Sequence, residues 1–109
     1  MVRNITPYEA QDLILHGAVD VVDVRELHEW STGHIEGSRL VPLDRLRLSP
    51  KASLPRDGVV FVCAAGIRSQ TAARVAEAAG LTRVYNLAGG TRAWANAGFP
   101  LVRELARAV

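Results

Sequence analysis

Short β-branched runs alternate along this chain with amphipathic stretches that open on polar residues or proline and close on glycine. The runs Val19-Asp20-Val21-Val22-Asp23-Val24, Arg39-Leu40-Val41, Val59-Val60-Phe61-Val62 and Arg83-Val84-Tyr85-Asn86 predict strands. Thr6-Pro7-Tyr8-Glu9 predicts a helix start. Thr6 caps it, Pro7 suits the first helical position, and Glu9 completes a capping box. Leu13 and Ile14 continue the apolar face, and Gly17 ends it. Glu26 to Thr32 predicts a short helix stopped by Gly33, and Pro42 opens another through Leu46. A longer, alanine-rich helix is expected from about Ser69 to Ala79, ending at Gly80. Gly89-Gly90 turns the chain into a helix that holds Trp94 and closes at Gly98, and Leu101 to Val109 is expected as a last short helix. Ser49 to Gly58, with Pro50, Pro55 and Asp57-Gly58, reads as a loop.

Strands that alternate with helices predict an α/β fold with a mainly parallel central sheet and helices on both faces. Val59 to Val62 carries no polar residue, which places it in the middle of a sheet covered on both sides. Ligands of such sheets bind beyond the C-terminal strand ends. Asp23 and Cys63, each at the end of a strand, are therefore expected at one rim.

Composition narrows this picture. A chain of 109 residues with a 49% apolar fraction is expected to form one domain over residues 1–109. No apolar run approaches a membrane span, and the N-terminus lacks the apolar core of a signal peptide, so a cytoplasmic protein without membrane contact is expected. The net charge is +2, and of thirteen basic residues Lys51 is the only lysine. The densest basic stretch, Arg45-Leu46-Arg47 with Lys51 nearby, is too short to argue for nucleic-acid binding. His16, His28 and His34 lack metal-ligand spacing, so no metal site is expected.

The single cysteine, Cys63, excludes an internal disulfide, a dithiol redox pair and a multi-cysteine zinc site. A cysteine at a strand end usually packs as a small hydrophobe. This one opens the segment Cys63-Ala64-Ala65-Gly66-Ile67-Arg68-Ser69, which leads from a buried strand into a helix. Two alanines and a glycine let the backbone curl with its N–H groups inward, and the helix N-terminus adds positive potential. Such a cradle favours thiolate over thiol and would hold an oxyanion or a sulfur anion attached to Cys63. Arg68 either lines the pocket or pairs with an acid such as Asp23 or Glu29. Asp23 and Arg25 read as supports that orient the loop through charge-assisted hydrogen bonds. His34, Trp30 and Trp94 read as packing residues, and Gly89 and Gly90 as a backbone turn.

Four segments in order resemble the signatures of single-domain rhodaneses, the thiosulfate sulfurtransferase-like family. They are Asp23-Val24-Arg25-Glu26 with Glu29 and Trp30; Gly33-His34-Ile35-Glu36-Gly37-Ser38; Cys63 to Ser69; and Leu87-Ala88-Gly89-Gly90 with Trp94 and Gly98. The resemblance covers nearly the whole length. It implies a rhodanese-like α/β fold and a two-step sulfur transfer with Cys63 as the nucleophile. A persulfide on Cys63 would be held by the amides of Ala64, Ala65, Gly66, Ile67, Arg68 and Ser69. The implied partners are a small sulfur donor such as thiosulfate or a persulfide, including a protein persulfide, and a thiol or cyanide acceptor. No metal or organic cofactor is implied. A low-turnover relay or binding module acting with a partner protein is the alternative. Related phosphatase loops place five residues between cysteine and arginine; here four intervene, a length suited to sulfur. Ala64 and Ile67 stand where charge would attract a dianion, and Ile67 would give the rim an apolar character suited to a protein-bound persulfide or a larger thiol.

Overall fold

The computed structural model describes residues 1–54 and 56–103. Its strands are β1 (Arg3–Ile5), β2 (Asp20–Asp23), β3 (Arg39–Leu40), β4 (Val59–Val62) and β5 (Val84–Leu87). Its helices are α1 (Pro7–Leu15), α2 (Leu27–Trp30), α3 (Leu43–Leu48), α4 (Pro50–Ser53), α5 (Ile67–Ala78) and α6 (Gly90–Asn96). The strands form one sheet in the order β1-β5-β4-β2-β3, and every pairing is parallel.

β4 takes the central place that its apolar sequence predicts. Alternation along the strand sends Val59, Phe61 and Cys63 to one face and Val60 and Val62 to the other. The first face meets Leu46 of α3 and the alanines Ala72, Ala73 and Ala76 of α5. The second meets Ala10, Leu13 and Ile14 of α1 and Trp94 of α6. Helices thus cover both faces. Among the described residues no helix is long and apolar enough to cross a membrane.

α1 starts as its sequence dictates: the Glu9 amide donates to Thr6 Oγ1, and the Thr6 amide donates to Glu9 Oε1. Trp30 and His34 are buried and stack with ring centroids 3.4 Å apart, and His34 Nδ1 lies 2.8 Å from the Trp30 carbonyl oxygen. His34 is thereby a packing residue.

The structure adds one strand and corrects two expectations. The added strand is β1: with Arg3 and Asn4 exposed and only Ile5 buried, this edge strand carries too little apolar pattern to announce itself. The segment 49–58 is not loop throughout. Pro50, read as a breaker, occupies the first position of α4, where a missing N–H costs nothing. Residues 101–103 are not helical. Val102 pairs antiparallel with His34: its amide donates to His34 O at 2.8 Å, and its carbonyl oxygen accepts from the His34 amide at 2.9 Å. The remainder of the expected last helix, 104–109, lies outside the described residues.

Candidate active site

β2 and β4 end in register, with Asp23 opposite Val62, so Cys63 and Asp23 reach the same rim as expected. Cys63 is 1% exposed. α5 begins two residues earlier than the sequence suggests, at Ile67. Between the two elements only Cys63 to Gly66 lie outside regular structure; Ile67, Arg68 and Ser69 form the first helical turn. Gly66 occupies the N-cap position at φ +95°, a conformation that favours glycine, and has no side chain to cap with. The Cys63 sulfur serves instead. Sγ receives the Gly66 amide at 3.1 Å and the Ser69 amide at 3.4 Å. A helix start and its preceding turn thus aim N–H groups at the sulfur.

The opposite polarity of the same turn faces α6. The amides of Thr91 and Arg92 donate to the carbonyls of Cys63 at 2.8 Å and Ala64 at 3.2 Å. This approach requires glycine at position 90. A Cβ there would lie 2.5 Å from the Ala64 carbonyl carbon and overlap Cys63 O.

Burial pushes the Cys63 thiol up. Hydrogen bonding to the Ser69 side chain and to the Ser69, Ala65 and Gly66 amides outweighs it, so the thiol lies below its ordinary value. Ser69 Oγ is 3.3 Å from Sγ and also 2.5 Å from Asn86 Oδ1. One hydroxyl proton cannot serve both at once.

Arg68, whose partner the sequence leaves open, pairs with Glu29 of α2. Nη1 and Nη2 donate to the two carboxylate oxygens at 2.7 and 2.8 Å. The guanidinium holds the Glu29 carboxyl at about 2 despite partial burial, and the carboxylate pushes Arg68 further up in return. Asp23 and Arg25 form a buried pair, Nη2 to Oδ2 at 2.8 Å, and the same Nη2 reaches Gly33 O at 2.8 Å. Their bonds brace the segment that leads to Gly33. Ile67 is 78% exposed at the outer edge of the turn. Among the described residues no cluster of His, Cys, Asp and Glu could hold a metal ion.

The rhodanese-like domain model matches residues 6–97. This chain belongs to the rhodanese-like family. It is 38% identical over 99 residues to the thiosulfate sulfurtransferase GlpE of Ectopseudomonas mendocina, spanning 90% of this chain and 88% of that one. It is 36% identical over 95 residues to the probable adenylyltransferase/sulfurtransferase MoeZ of Mycobacterium tuberculosis, spanning 84% of this chain but only 24% of MoeZ. The crystal structure of a rhodanese-related protein from Thermoplasma volcanium matches with TM-score 0.83 at 35% identity, over 94% of this chain and 99% of that one. The parallel sheet with helices on both faces is thus the rhodanese-like fold. Within it, sequence reasoning overlooked Asn86. The signal was an amide side chain between Tyr85 and Leu87 of an otherwise apolar strand, which once buried requires a partner.

Proposed function

We propose that this protein is a rhodanese-type sulfurtransferase that carries sulfane sulfur as a persulfide on Cys63. The observation that carries this reading is the Cys63 sulfur standing as N-terminal acceptor of α5, with the Gly66 and Ser69 amides directed at it. The kinship to GlpE supports the reaction class. In the first step the Cys63 thiolate attacks the outer sulfur of a donor. With thiosulfate, the new S–S bond forms as the old one breaks, and sulfite leaves with the electron pair. The negative charge then rests on the outer sulfur, within reach of the turn's amides from Ala64 to Ser69. In the second step a thiolate or cyanide attacks that sulfur, and the S–S electron pair returns to Cys63 as thiolate. Each displacement has a stabilised anion as leaving group, which divides one difficult transfer into two easier ones. Asp23 and Arg25 support the rim, and Arg68 fixes the first turn of α5 through Glu29.

Incubation with thiosulfate, followed by intact-mass measurement, is expected to add one sulfur to the protein and nothing to Cys63→Ser. If neither thiosulfate nor small persulfide donors leave that adduct, this reading fails.

The alternative, a relay that turns over slowly without a partner protein, draws on the rim. Arg68 is neutralised by Glu29, and Ile67 presents an apolar side chain to solvent. Under this reading Cys63 accepts sulfur from a protein persulfide and releases it slowly to cyanide. A high steady-state rate from thiosulfate to cyanide would exclude it.

A further inference from the structure

Hydrogen-bond chemistry fixes how the buried Asn86 amide is turned. Its Nδ2 lies 3.2 Å from the Gly66 carbonyl oxygen, which only accepts, and 3.0 Å from Asn4 Oδ1. The atom 2.5 Å from Ser69 Oγ is therefore Oδ1, and Ser69 must donate to it. With its single proton on Asn86, Ser69 presents a lone pair to Cys63 Sγ at 3.3 Å. A thiol donates to that lone pair, whereas a bare thiolate is repelled by it. The thiolate gains Ser69 as a donor only when the hydroxyl turns, and then the buried Oδ1 loses its bond.

Building on the reading of Cys63 as the working thiolate, we infer that Asn86 is a positioning residue that decides where the Ser69 hydroxyl proton points. The proton points to Asn86 while Cys63 is a thiol or carries sulfur, and to Sγ while Cys63 is a bare thiolate. The Ser69 O–H bond stays intact and rotates about Cβ–Oγ. The proton lost on ionisation belongs to Cys63 and passes to water. In the loaded state the charge sits on the outer sulfur, Sγ is bonded to carbon and sulfur, and the hydroxyl returns to Asn86. When an acceptor removes the outer sulfur, the electron pair falls back on Sγ and Ser69 turns to meet it. Asn86 thus opposes the bare thiolate and favours both the protonated and the loaded forms.

The charged groups around Cys63 are Asp23 and Arg25 at the end of β2, paired with each other, and Arg68 of α5, paired with Glu29 of α2. Arg92 of α6 is exposed. On β5, Tyr85 packs on the opposite face from the Cys63 cluster. Substitution at position 86 or 69 leaves all of these in place.

The rate of Cys63 alkylation by iodoacetamide, followed against pH, tests the inference. Asn86→Leu removes the acceptor at similar volume, and its midpoint is expected to fall by about one pH unit. In a Ser69→Ala background the same substitution is expected to move nothing. An unchanged midpoint in Asn86→Leu, or an equal fall in both backgrounds, overturns the inference. A second measurement needs no change at position 86. The side-chain amide resonances of Asn86 in the native protein should shift with the same midpoint as Cys63 and stay still in Ser69→Ala. Resonances that ignore the Cys63 titration in the native protein, or follow it equally in Ser69→Ala, overturn it as well. Neither measurement involves sulfur transfer, so a failure here is distinct from the absence of a persulfide adduct.

Discussion

Arg68 brings a positive charge to the edge of the turn, but a carboxylate already holds it. The bidentate contact with Glu29 crosses from α5 to α2 and ties the first turn of α5 to the neighbouring segment. Glu29 releases its proton more readily in the folded chain than in the unfolded one. Its contribution to stability is therefore complete above its ordinary value of 4.5 and is lost as pH falls through about 2. Both partners are partly exposed, so solvent screening limits the pair to about 1 kcal/mol. Glu29→Gln is expected to lower Tm by a few degrees at pH 7. The difference from the native protein should shrink between pH 4.5 and pH 2, which thermal melts across that range would register. At this scale the sequence was only partly legible. Cys63 stood out because its residue type, strand end and following turn agree. The partner of Arg68 did not, because Asp23 and Glu29 are equally acidic on paper, and only the fold consigns Asp23 to Arg25.

At the scale of elements, the strand cores and most helix starts were legible, because each rests on local chemistry such as the capping box of α1 or the apolar run of β4. β1 and the Val102 pairing were not. Each consists of very few residues and exists through what lies beside it, namely β5 and His34. The join between β4 and α6 is of the same kind. Gly90 reads as half of a turn, yet its second role is to let α6 approach the carbonyls of Cys63 and Ala64. Gly90→Ala places a methyl group against that backbone at φ +62°. A loss of about 1–3 kcal/mol is expected, as for overpacking elsewhere. Urea unfolding measures the loss. Iodoacetamide alkylation of Cys63 should slow in the same variant, since the turn that presents the sulfur must shift.

For the whole molecule, a parallel sheet between two apolar layers leaves the C-terminal rim as the place where polar groups gather. The Asp23–Arg25 pair is the most buried charge at that rim, with side-chain exposures of 1% and 6%. Arg25→Ala leaves the Asp23 carboxylate buried without its partner. Such a loss typically costs about 3–5 kcal/mol, a large share of the roughly 5–15 kcal/mol that holds a domain together. A markedly lower urea midpoint is the expected result, with Arg25→Lys recovering part of it. The sheet order, by contrast, could not be read from the sequence. Periodicity identifies strands but not their neighbours, and the place of β5 between β1 and β4 follows from long-range pairing alone.

The sulfur's closest donors include two main-chain amides, and the carbonyls of Cys63 and Ala64 are spent on α6. The side chains of Ala65 and Ile67 point away from that work and stand exposed. Under the proposed sulfur transfer, what the site does to sulfur is thereby separated from what it meets. Exchange of Ala65 or Ile67 is then expected to alter which partner the turn meets and to leave the rate of Cys63 alkylation by iodoacetamide unchanged.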